Sequence, residues 1–323
     1  MAESQRLILW IFSGLLGLNI GSFLNVCIFR LPRNCMSIVR PRSRCPKCLN
    51  WIAWYDNLPV VSWCLLGGKC RHCRNPISIR YTLVELLTGA LFLYAGYRAL
   101  YAGPWPLRAG FDSAGPVPDT ARAVRFAVEA WLVSAMIVCT FIDLEFRILP
   151  DEITLSGILI GLAASAAVPA LHGAPSAWSG IASTYAWEDG HGLPWPIREP
   201  HLASLAASSA GAIAGGGSIW LVGVLGTLLF RKEAMGLGDV KYMAMIGSVL
   251  GWRGVLLAFV IACLAGSLFG LGKYAAVRRM GYVPFGPFLS VGALAMLFWA
   301  PAVDAALHAY LRGTHRLMER LIH

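Results

Sequence analysis

Two aspartates of the 323-residue chain stand where an apolar segment meets a polar one. Asp143 ends the run Phe126–Ile142, and Asp239 follows Met235-Gly-Leu-Gly238. A carboxyl at membrane depth is costly to keep and is a functional candidate for that reason. Two carboxyls held within a few ångströms cannot both ionise, so they share one proton. The ionised member can take a proton from water as that water attacks a peptide carbonyl. The neutral member donates to the carbonyl oxygen, and the roles exchange as the amine leaves. The titration then belongs to the pair and not to either residue. Gly236 and Gly238 fit the same chemistry, because bare backbone lets an extended substrate approach closely beside Asp239. They also permit a helix to break where it lines a water-filled cavity. Gly-x-Gly-Asp alone is a short pattern that helix packing also produces; the second intramembrane aspartate favours catalysis. Glu145, Asp151 and Glu152 flank Asp143. Their reading as caps and solvating groups, with Asp151 and Glu152 at a helix start, is preferred to a rim that attracts a basic substrate. Lys241 points to another helical face and is expected to snorkel to the headgroups.

A second constellation is made of sulfur. Cys45-Pro-Lys-Cys48 and Cys70-Arg-His-Cys73 are separated by 21 residues. Each pair offers two thiolates from one tight turn, and two turns complete a tetrahedron, so the spacing points to a structural zinc site. His72 is at best a spare ligand, and a redox role for the pairs is the weaker alternative. About fifty residues of polar chain bury little core, and a metal would supply folding free energy directly. The surrounding basic residues mark a reducing compartment, where thiols hold metals more readily than they form disulfides.

The elements that carry these groups must be membrane helices. Hydrophobic residues make up 57% of the chain and charged residues 14%, with a mean hydropathy of +0.61. The apolar residues come in long blocks. About eight spans are expected: Leu7–Phe23, Tyr81–Leu100, Phe126–Ile142, Ile153–Leu171, Leu202–Phe230, Tyr242–Leu250, Gly254–Leu271 and Phe288–Phe298, the last running on toward Leu307. Tyr242–Leu250 is the weakest of these. The first span lacks a cleavage signature and is read as retained. The expected fold is therefore an all-α polytopic membrane protein with a small cytoplasmic zinc module. Its parts are a first span (1–25), the cysteine module (26–80) and a multi-span peptidase domain (81–323).

Charge placement sets the orientation. The net charge is +10, and ten basic residues lie between Arg30 and Arg80. In a membrane protein such a cluster marks the cytoplasmic side and faces anionic lipid headgroups. No nucleic-acid motif accompanies it. The loops bearing Asp143, Asp239 and Lys273–Arg279 then fall inside as well. Arg122, Arg125, Arg312, Arg316 and Arg320 fall outside, against the rule.

Several runs resemble one family, the bacterial type IV prepilin peptidases. They are Gly21-Ser-Phe-Leu-Asn-Val26 with Arg30-Leu-Pro32, the CPKC…WYDNLPVVSW…CRHC…ISIRYTLVELLTG stretch, and Ile142-Asp143…Leu149-Pro-Asp151. Lys232-Glu-Ala-Met-Gly-Leu-Gly-Asp-Val-Lys241 and Val283-Pro-Phe-Gly-Pro287 complete the set, in the family's order and over most of the chain. The resemblance implies an inner-membrane aspartyl endopeptidase with Asp143 and Asp239 as its catalytic pair. It would remove the basic leader from type IV prepilins and type II secretion pseudopilins at the cytoplasmic membrane edge. It also implies methylation of the new N-terminus with S-adenosylmethionine, an activity associated with the family's cysteine module. No glycine-rich strand–turn–helix fingerprint for that donor is present. The loop His172–His201, with Trp178, Trp187 and Trp195, is longer than the family's usual one.

Two other classes compete with a peptidase. A proton-coupled transporter also uses intramembrane carboxylates, but its site tends to lie at the midplane between internal repeats, and no repeat is found. A non-catalytic zinc-bearing scaffold leaves the two aspartates unexplained.

Overall fold

A computed structural model describes residues 3–33, 37–38, 42–101, 119–168, 200–231, 235–277 and 283–322. Among them every extended element is a helix, and the only β pairing is two isolated bridges. The expected loops 103–120 and 172–201, Lys232–Glu233 of the second aspartate's motif, and Arg278–Arg279 lie wholly or largely outside the described residues.

Among the described residues eight α-helices follow one another: α1 Glu3–Arg30, α2 Val61–Leu65, α3 Ile79–Leu100, α4 Asp119–Phe146, α5 Asp151–Ala167, α6 Pro200–Phe230, α7 Leu237–Val277 and α8 Gly286–Ile322. Six of the described helices are long and apolar enough to cross a membrane: α1, α3, α4, α6, α7 and α8. The expected number was about eight, and two local features account for the difference. The described helix α5 has 17 residues, at the lower end of the spanning range. The segments Tyr242–Leu250 and Gly254–Leu271 run together as α7, broken at Gly251 by a backbone at φ 73° and ψ 172°. Only glycine takes that conformation without strain. In α8 the break falls at Trp299, two residues before Pro301, whose ring cannot fit the preceding turn of a regular helix.

The chain divides into two compact units. The first takes in the described residues of Met1–Gly103, Pro118–Gly157 and Pro284–Pro287. Here α1 lies along α3 with backbones close together. A Cβ on Gly17 would stand 2.9 Å from Gly89 Cα, and one on Gly21 would stand 2.7 Å from Glu85 Cα. Lipid offers no hydrophobic drive between helices, so close small-residue packing supplies the association. The face of α1 bearing Ile8, Phe12 and Leu15 stays exposed, as a lipid-facing surface must. At the other end of α3, Arg98 and Arg125 flank Glu129, with Oε1 3.6 Å from Arg98 Nη1 and 3.1 Å from Arg125 Nε. All three side chains are buried. Arg125, an apparent exception to the charge rule, is thus a partner in a buried ion cluster.

The second unit takes in the described residues of Ile158–Val283 and Phe288–His323. Its centre is the pair α6 and α7. Gly211 and Gly215, one turn apart, press against Gly247 and Met243. A Cβ at Gly211 would stand 2.1 Å from the Gly247 carbonyl oxygen, so only hydrogen fits there. Ser208 Oγ adds a hydrogen bond to Ser248 O at 2.7 Å. This contact fixes the helix whose first turn carries Asp239.

Candidate active site and metal centre

Asp143 lies in the last turn of α4, which ends as it does because Arg147 adopts a left-handed backbone at φ 59°. The Arg147 N–H bonds back to Asp143 O at 3.0 Å, closing the helix. Pro150 follows, and its carbonyl receives the N–H groups of Ile153 and Thr154 as α5 begins. Asp151 and Glu152 sit in that first turn, the capping position expected for them.

Asp143 is 6% exposed, and its carboxyl accepts a hydrogen bond from the Gly286 N–H, 2.9 Å from Oδ2. Gly286 opens α8, where the first N–H groups have no partner within the helix. Pro287 follows at a position where a missing N–H costs nothing. A Cβ on Gly286 would meet Oδ2 at 2.7 Å and Cγ at 3.2 Å. Glycine is therefore required for the carboxyl to reach this donor. The sequence marked Val283–Pro287 only by resemblance, and no residue in it announced a contact 143 positions away.

Glu145, two residues on, is held by two arginines: Arg80 at close range and Arg33 at 3.7 Å. Arg33 also lies over the rings of Phe29 (4.1 Å) and Phe146 (4.9 Å), and Arg80 lies over Phe141 at 5.4 Å. Arg33 follows α1 and Arg80 opens α3, so both ends of the cysteine module meet the end of α4.

Asp239 belongs to the second unit and is half-buried. It sits in the first turn of α7, its N–H 3.2 Å from Gly236 O. Gly236 is exposed, and a Cβ there would touch nothing closer than 3.9 Å. Tyr242, one turn along and fully buried, shares a 2.6 Å hydrogen bond with Ser290 of α8.

The four cysteines of the two pairs converge. Cys45, Cys48, Cys70 and Cys73 place their Sγ atoms all within 4.8 Å of one another. Cys45 Sγ and Cys73 Sγ are 3.8 Å apart. That is about the edge of a tetrahedron with 2.3 Å zinc–sulfur bonds and far too long for a disulfide. The two turns are copies of each other. Cys45 N bonds to Asn50 O and Leu49 N to Cys45 O; Cys70 N bonds to Asn75 O and Arg74 N to Cys70 O. Leu49 and Arg74 take matching left-handed backbones at φ 59° and 57°. The donors around the sulfurs favour thiolate. The backbone N–H of Asn75, assisted by its side-chain amide, brings Cys73 down to about 6. The Cys48 N–H lowers Cys45. Cys48, although the Asn50 N–H favours its thiolate, is pushed up to about 11 by burial and by the other three sulfurs. A metal ion would relieve that crowding of like charge, so this donor set fits zinc. His72 is not part of the cluster.

Residues 15–99 match the Bacterial Peptidase A24 N-terminal domain, and residues 192–271 match the Type IV leader peptidase family. A prepilin leader peptidase/N-methyltransferase of Burkholderia pseudomallei is 33% identical over 316 residues, covering 89% of this chain and 84% of the relative. The chain belongs to this leader peptidase family. A type 4 prepilin-like proteins leader peptide-processing enzyme of Escherichia coli is 34% identical, over 87% of this chain and 91% of its own length. The prepilin leader peptidase/N-methyltransferase of Myxococcus xanthus is 35% identical over 84% of this chain, which spans 65% of that relative. No solved structure matches the chain. Together with six helices of spanning length, membership makes this a multi-pass inner-membrane protein. The four cysteines fall inside the first matched region and Gly236, Gly238 and Asp239 inside the second; Asp143 and Gly286 fall in neither.

Proposed function

We propose that this chain cleaves the basic leader from type IV prepilins and related pseudopilins at the cytoplasmic edge of the inner membrane, with Asp143 and Asp239 as the catalytic pair. Peptidase and N-methyltransferase activity come with the family. The observation that carries the residue assignment is the buried Asp143 carboxyl, offered one fixed backbone donor at Oδ2. A carboxyl anchored at one oxygen keeps the other for a water or a shared proton.

In this reading the substrate helix stays in the bilayer and presents an extended cleavage site to the bare backbone at Gly236 and Gly238. One aspartate accepts the proton of the attacking water while its partner protonates the scissile carbonyl oxygen. The first aspartate then gives its proton to the leaving amine while the second takes one back from the tetrahedral diol, and the pair returns to its starting state with one shared proton. Spans within 81–323 hold this chemistry, and the module within 26–80 serves the second activity. Zinc held by Cys45, Cys48, Cys70 and Cys73 supplies cross-linking to a segment with little core of its own. S-adenosylmethionine supplies the methyl group. The described residues contain no strand-to-helix glycine turn that would cradle such a nucleoside, and no residue is assigned to it.

The test is cleavage of a prepilin by the purified enzyme in detergent beside Asp143→Asn and Asp239→Asn. Each variant is expected to lose roughly a thousandfold or more in rate, as for members of one catalytic unit. Normal cleavage by either would sink the pairing. Mass spectrometry of the mature substrate, with the donor present, reads methylation; an unmodified N-terminus would refute that part.

A further inference from the structure

The cysteine module carries a surface that leader cleavage does not use. Between Leu49 and Leu65, eight large apolar side chains stand exposed, with Trp54 at 79% and Leu65 at 81%. A patch of that kind on a water-facing domain marks an interaction site. The same module is strongly basic. Residues 42–78 contain Arg42, Arg44, Lys47, Lys69, Arg71 and Arg74 against a single acid, Asp56, and Arg71 already pairs with Asp56 at 2.6 Å.

Its depth follows from a hydrogen bond. The Val60 N–H donates to Glu85 Oε2 at 2.8 Å, and Glu85 lies six residues into α3. At 1.5 Å per residue that is about 9 Å along the helix from Ile79. Helix α3 has 22 residues, enough to span the hydrocarbon with little to spare. The loop Leu58–Val61 is thus held beside α3 about 9 Å past the first residue of a helix of spanning length. Ile79 and Leu83, between the start of α3 and Glu85, are exposed apolar side chains as well. The hold is strong enough to keep Val60, a β-branched residue, at φ 62°.

We propose that the Trp54–Leu65 edge of the module docks into the anionic lipid leaflet beside α3. Trp54, Val61 and Leu65 enter the boundary between headgroups and acyl chains, the depth at which interfacial elements bury apolar side chains. Lys69 and Arg74 meet lipid phosphates. A basic peptide leader does not suit this surface, because six basic residues repel it. The proposal stands apart from the catalytic assignment, since lipid contact requires no turnover.

The experiment uses the full chain in nanodiscs of phosphatidylcholine with or without phosphatidylglycerol. The emission of Trp54 is taken as the difference between parent and Trp54→Phe. Lipids brominated near the glycerol end are expected to quench most of that difference signal, more so with phosphatidylglycerol, while aqueous iodide leaves it intact. Leu65→Glu, with its zinc content unchanged, is expected to lose most of the lipid quenching. Quenching by iodide and not by bromolipid would overturn the proposal. So would protection that appears only when a prepilin is added, which would give the surface to the substrate. Equal quenching in both lipid mixtures would overturn its anionic part.

Discussion

The Gly286 N–H stands 2.9 Å from Asp143 Oδ2, joining the first residue of α8 to the last turn of α4 across 143 positions of sequence. The contact exists only because Gly286 has no side chain, since a Cβ would lie 2.7 Å from that oxygen. Gly286→Ala must therefore turn the carboxyl away from its donor. Misplacing a reacting group by about 1 Å can cost roughly a hundredfold. We expect kcat for prepilin cleavage to fall by about that factor, with KM and zinc content little changed. The check is steady-state cleavage by the purified variant, and parental kcat would show that the contact does not position Asp143.

Glu145 invites a different expectation from the one its position in an acidic run suggests. Its carboxylate is engaged by Arg33 and Arg80 and is not free to draw in a basic leader. Glu145→Gln should leave KM for prepilin unchanged. Stability should fall by no more than about 1 kcal/mol, because both arginines are about one-third exposed and such pairs are weak. Titration of substrate against the variant measures this; a KM raised severalfold would restore Glu145 as a leader-binding acid.

Groups that could do chemistry are easier to see in this sequence than the contacts that hold them. Asp239 and the four cysteines announce themselves because each comes with local company, Gly-x-Gly or a second thiol three residues away. The helices are legible because lipid demands long apolar runs. Gly286 and Glu145 act through partners far away in the chain, as Glu129 does through Arg98, and a single sequence records no such pairing. The division at Gly251 is hidden for a related reason: whether it separates two helices or bends one depends on backbone torsion, not composition.

Glu129 offers the clearest stability test. Its Oε1 serves both Arg98 and Arg125, and all three groups are buried within the first unit. Removing one member of a buried ion cluster leaves the remaining charge uncompensated, at a cost of about 3–5 kcal/mol. Glu129→Ala should lower the unfolding midpoint by several degrees in thermal melts, while the zinc content of the folded fraction stays the same. Unaltered melting would show that the arginines find other partners at no cost.

The last expectation concerns acid and the cysteine module. The Arg71 guanidinium, by hydrogen bonding to Asp56, holds that carboxyl below its ordinary value of 3.8. A depressed carboxyl contributes stability that is complete above its unfolded value and is lost as pH falls through the folded one. From pH 8 down to about 5 the pair therefore adds nothing to the pH dependence of the module, and its contribution disappears only below about pH 4. It is also small, because the Arg71 side chain is 51% exposed and solvent screens the attraction. Asp56→Asn should accordingly keep its zinc at neutral pH and show the same pH profile of zinc retention as the parent between pH 5 and 8. The four thiolates then carry the whole attachment. Replacing Cys45, Cys48, Cys70 and Cys73 together should abolish zinc binding in a metal assay of the purified protein. Zinc retained at the parental level by that quadruple variant would refute the four-sulfur site, and zinc lost from Asp56→Asn at pH 7 would show that the ion pair supports it.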